Sequence, residues 1–148
     1  MDFTEALNEL AAKTGLGRIV PDDTGSVTLL FDGRTEVSFT PDADESVVYF
    51  QGEMADASNL GDGDCRSLME ASLSDTDGAA FSIDRQTGKL ILWKRFGEFP
   101  SCAALETAIN EFLGQISRWQ ERLDGGLVGG AADDSASQNA GTFNFIQA

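Results

Sequence analysis

The stretch SVTLLFDGRTEVSFTPDADESVVYFQ, residues 26–51, decides the fold. Ser26 to Phe31 is rich in β-formers and runs into Asp32-Gly33, a compact turn signal. Thr35 to Thr40 alternates Val37 and Phe39 with polar neighbours, which makes a hairpin with the run before it. Pro41-Asp42-Ala43-Asp44 breaks the chain again, and Val47 to Gln51 is a third strand. Three antiparallel strands in a meander are therefore expected.

A short helix precedes this meander. Asp2 is its cap, Glu5 stands three residues on as in a capping box, and Phe3, Leu7 and Leu10 share a stripe that stops at Gly15. Downstream, Met54 to Asp64 has the Gly, Asp, Ser and Asn content of a loop. A short helix is expected from about Arg66 to Leu73, with Asp64 as its cap. Phe81 and Ile83 lie in a fourth strand and Lys89 to Phe96 form a fifth, joined by a turn that needs Gly88 at positive φ. Pro100-Ser101 then opens the clearest element. Leu105, Ile109, Phe112, Leu113, Ile116, Trp119 and Leu123 fall on one broad helical face that ends at Gly125-Gly126. The order α-β-β-β-α-β-β-α describes an α+β domain over residues 1–124 with an antiparallel sheet of about five strands. Residues 125–148 read as a flexible Gly/Ala/Ser/Asp tail. Its apolar tip, Phe143 to Ile146, could dock as a strand, but disorder is the expectation for that composition.

Charge and composition narrow the function. The chain carries 25 Asp and Glu against 10 Lys and Arg, a net charge of −15, and no His. Such a charge repels phosphate backbones and anionic lipid, so neither nucleic acid nor membrane is an expected partner. Without His there is no Ser-His-Asp or Cys-His nucleophile system and no His-containing zinc site. Cys65 and Cys102 lack metal-ligand spacing and are read as reduced thiols. No apolar run is long enough to span a bilayer, and the acidic N-terminus does not read as a signal peptide. A cytoplasmic protein is expected.

No cofactor or metal site emerges. Asp42, Asp44, Ser46 and Glu53 imitate a calcium loop but place Val47 where glycine is required. Asp75-Thr76-Asp77-Gly78 has the glycine, with Leu73 where the first ligand belongs. Gly15-Leu16-Gly17-Arg18 lacks the rest of any phosphate-binding motif. A carboxylate-only enzyme stays open in principle, with no pair of acids singled out. The positive signal is surplus apolar surface. Leu30 lies opposite Val27, Leu29 and Phe31, and Val47 and Tyr49 lie opposite Val48 and Phe50. Either helices cover both faces of the sheet, or a partner covers one of them.

The opening Leu7-Asn8-Glu9-Leu10-Ala11-Ala12-Lys13-Thr14-Gly15-Leu16-Gly17 resembles the first helix of the class I type III secretion chaperones, the CesT/Tir chaperone family. The strands at Leu29 to Asp32, Val37 to Phe39 and Val48 to Gly52 are similar as well. So is the Leu90-Ile91-Leu92-Trp93 hairpin strand before the long Leu105–Leu123 helix. The likeness runs over about residues 2 to 123 and contains no catalytic signature. It implies a non-catalytic, ATP-independent homodimer that holds the N-terminal region of a secreted effector in extended form. Carried onto this chain, it implies an effector groove at Leu7, Leu10, Leu29, Phe31, Val37, Phe39, Val48 and Phe50. It also implies a dimer contact at Leu68, Met69, Leu73, Phe81 and Ile83. The alternative is a protein-interaction or adaptor domain of the same build.

Overall fold

The computed structural model describes residues 2–125 and the backbone of residues 145–147. Helix α1 (Phe3–Thr14) begins where the Asp2 carboxylate accepts the Glu5 amide at 2.7 Å, and it ends at Gly15 with φ 76°. The meander follows as β1 (Val27–Phe31), β2 (Thr35–Pro41) and β3 (Val48–Asp56). Helix α2 (Asp62–Ser74), the hairpin β4 (Ala80–Ile83) and β5 (Lys89–Phe96), and the long α3 (Cys102–Asp124) complete the domain. A further strand, β6 (Phe145–Gln147), closes the described chain. The sheet order is β4-β5-β3-β2-β1-β6, and every neighbouring pair is antiparallel. The five strands of the α+β domain stand in the expected order, with β6 added at the edge.

Two elements extend past their sequence boundaries. β3 continues through residues expected to form a loop, because β5 pairs with it as far as Asp56 across a bulge between Glu53 and Ala55. α2 starts at Asp62 instead of near Arg66. The Asp64 carboxylate accepts the Gly61 amide at 3.0 Å, and two acids in the first turn suit the positive end of the helix dipole. The third difference is β6. Disorder was expected for the tip of the tail, but its backbone pairs with β1; residues 126–144, the rest of the expected flexible segment, lie outside the described residues.

Helices α1 and α3 contact each other on one face of the sheet, and the core lies beneath them. Phe50 is its hub, with ring centroids 4.7 Å from Phe39, 4.3 Å from Phe96 and 5.7 Å from Phe112. Phe3 brings α1 onto Phe39 at 6.0 Å. A side chain missed by the sequence reading pins α1 from outside: the Glu45 carboxylate accepts both the Thr4 amide and the Thr4 hydroxyl at 2.9 Å.

Gly52 sets how closely α3 approaches. A Cβ at this position would stand 2.5 Å from Ile116 Cδ1 and 3.2 Å from Cγ1, and Ile116 is itself fully buried. Gly52→Ala is expected to cost about 1–3 kcal/mol by overpacking, read as a lower urea midpoint. An unchanged midpoint would show that α3 rides further from the sheet than described.

Candidate functional site

All of the groove residues taken from the resemblance lie under the helices. Leu7, Leu10, Leu29, Phe31, Val37, Phe39, Val48 and Phe50 are buried in the core, none more than 3% exposed. The alternation of β1, β2 and β3 points the six strand residues toward α1 and α3, and Leu7 and Leu10 belong to α1 itself. In the single chain they are core residues, packed on or beneath α1.

The dimer residues divide differently. Leu68 is 2% exposed and anchors α2 to the domain. Phe81 is half-buried and packs edge-on against Trp119 at 5.0 Å, so it belongs to the seam between β4 and α3. Met69 and Leu73 are 75% and 93% exposed, one helical turn apart on α2, and Ile83 on β4 is 54% exposed. α2 and β4 pack on each other, and the Phe81 amide donates to the Ser72 hydroxyl at 3.0 Å. Arg122 on α3 ties the end of α2 by an ion pair to Asp75 at 2.7 Å, and Arg118 donates to the Asp75 carbonyl at 2.9 Å. The exposed apolar stripe thus sits on a braced platform.

Among the described residues nothing covers the second sheet face, which bears on the question left by the surplus apolar residues. Glu36, Gln51, Glu53, Ser82 and Arg95 on it are exposed. Leu30, Tyr49, Ile91 and Trp93 on the same face are half-buried. Tyr49 and Trp93 stand 6.4 Å apart, and the Trp93 indole N–H donates to the Ser82 hydroxyl at 2.8 Å. Together with Gln51 and Ile91 they line a shallow cleft of about 350 Å³. The sequence reading did not name Ile91 and Trp93 as site residues. Their signal was present in the alternation of Ile91 and Trp93 with the buried Leu90 and Leu92.

The shifted carboxylates build turns. Asp22 is held below its ordinary value first by the Thr24 hydroxyl, at 2.7 Å, and Asp56 first by the Ser58 hydroxyl, also at 2.7 Å. Asp44 is lowered first by the Ser46 side chain and then by the Ser46 amide. A carboxyl whose value falls on folding contributes stability above its unfolded value. That contribution is lost as pH drops through the folded one, so these caps hold at neutral pH and weaken in acid. A general acid working near neutrality needs the opposite shift. Asp42, a member of the calcium-like window, accepts the Val47 amide at 3.0 Å and the Ser46 hydroxyl at 3.1 Å, which closes the β2–β3 turn. Among the described residues no helix is long and apolar enough to cross a membrane.

Comparison with solved structures finds the same architecture. The chain is similar to one in the "Crystal Structure of the ExsC-ExsE Complex", with 25% identity and a TM-score of 0.70, over 83% of this chain and 97% of that one. It shares its fold with a chain of the HopA1-SchA chaperone-effector complex, at 14% identity and a TM-score of 0.67, over 80% and 93% of the two chains. A chain of the heterodimeric ExoU-SpcU complex of the Pseudomonas aeruginosa type III secretion system matches at 20% identity and a TM-score of 0.57, over 79% and 93%. No curated protein sequence matches the chain. The model of the Tir chaperone protein (CesT) family matches residues 5–120, from the first helix almost to the end of the last, and the chain belongs to that family.

Proposed function

We propose that the chain is a non-catalytic cytosolic chaperone that acts as a homodimer. It binds the N-terminal region of a type III secreted effector in extended form and keeps it soluble and ready for export. The likeness to a chain of the ExsC-ExsE complex carries this reading, because at 25% identity it takes in 83% of this chain and 97% of that one. The exposed Met69, Leu73 and Ile83 supply apolar surface for a second copy. The half-covered sheet supplies an open face for an extended peptide. A net charge of −15 keeps such surfaces soluble and draws basic segments in preference to acidic ones.

Co-expression with candidate effectors encoded beside the gene tests the reading. The expected result is a stable complex in which limited proteolysis spares an effector N-terminal segment and degrades it when the chain is absent. A chain that binds only folded proteins would instead be an adaptor of the same fold.

A further inference from the structure

β1 has the sequence of a strand that invites pairing. Residues 27–31, VTLLF, hold no charge, proline or glycine, the features that keep exposed strand edges from accepting another chain. The opposite edge strand, β4, is only four residues long and has α2 packed against it. β1 is instead covered by the chain's own carboxy-terminal strand, with Phe145 opposite Phe31, Ile146 opposite Leu30 and Gln147 opposite Leu29.

We propose that β6 is a built-in competitor for this edge. An extended apolar segment of a partner pairs with β1 only by displacing Phe145–Gln147. The register supports displacement. The described residues of β6 pair with Leu29 to Phe31, while β1 also holds Val27 and Thr28, which pair with Phe39 and Ser38 on the other side. An incoming strand of five residues can pair along all of β1, against the three pairs described for β6. The occupant chemistry follows from the pleat. Residues opposite Leu29 and Phe31 sit over the buried side under α1, the residue opposite Leu30 sits on the open face, and the acidic surround favours a neutral or basic segment. While β6 is in place, the β1 edge is closed to a second chain, so the free protein is guarded against edge-to-edge association. Identifying the displacing partner as an effector rests on the chaperone reading; the competition itself does not.

The full-length chain carrying Phe145→Pro and Ile146→Pro tests the proposal, because proline removes the amide donors that β6 offers to β1. In hydrogen exchange, the amides of Leu29–Phe31 that point away from β2 are expected to exchange about tenfold faster or more in this variant. A labelled synthetic peptide with the sequence of residues 143–148 is expected to bind the variant about tenfold more tightly than the unaltered chain, since the tethered copy no longer competes. Unchanged exchange would overturn the placement of β6 on the edge. Faster exchange with equal peptide binding, or none, would overturn the competition. If both expected results appear and no effector is ever protected, the competitor stands and the chaperone reading falls.

Discussion

Phe50→Ala is expected to lower the stability of the chain by about 3–5 kcal/mol, the range for removing a fully buried aromatic ring. Phe50 touches Phe39, Phe96, Phe99 and Phe112, so its ring joins β2, β5, the loop before α3, and α3 itself. The neighbours cannot collapse into the space without moving α3, whose approach is already fixed by Gly52 and Ile116. Domains of this kind hold about 5–15 kcal/mol in total, so the loss would be a large share of it. Urea unfolding followed by tryptophan fluorescence measures it directly, since Trp93 and Trp119 both report on packed surroundings. The outcome also separates two roles for this position. A residue lining an open groove would lose partner binding and little stability, with a cost well below 1 kcal/mol. The buried position predicts the reverse order, with unfolding as the first effect.

That contrast shows what the sequence could and could not convey. Alternation in β1, β2 and β3 told which side chains share a face, and the six groove candidates in these strands do lie on the helix side of the sheet, facing α1 with its Leu7 and Leu10. Period alone does not say whether that face is covered by the chain's own helices or by another molecule. Caps were legible because their chemistry is local. Asp2, Gly15 and Ser101 stop and start helices in the structure as their residue types predict. The extension of β3 was not legible, since Gln51-Gly52-Glu53 has weak strand propensity and is held by pairing with β5, distant in sequence. The start of α2 was hidden for a related reason: Asp62-Gly63-Asp64 has the composition of a turn. β6 was hidden behind residues 126–144, whose composition argues against structure and conveys nothing about the short segment that follows.

The stripe on α2 leads to the second large effect. Met69→Glu together with Leu73→Glu is expected to turn a dimer into a monomer while leaving each subunit folded. Both side chains are mostly exposed in the single chain, and Leu68, the residue that anchors α2, is untouched, so urea unfolding compared at concentrations where both chains are monomeric should shift by no more than about 0.5 kcal/mol. In a symmetric dimer that buries them, each apolar side chain contributes about 1.5–3 kcal/mol and the double variant removes four, so the dissociation constant rises by roughly 10,000-fold or more. Two further negative charges per copy, on a chain already at −15, act in the same direction and more strongly at low salt. Sedimentation or light scattering across micromolar concentrations reads the change. A double variant that stays dimeric would move the interface elsewhere, to the open face around Tyr49 and Trp93. An unaltered chain that is monomeric at every concentration would remove the homodimer altogether. The placement on α2 is favoured over the open face because exposure differs in kind. Tyr49, Ile91 and Trp93 are already partly buried against their own sheet, and Trp93 has its N–H satisfied by Ser82. Leu73, at 93% exposure, gains nothing from its own chain and has the most to gain from a second.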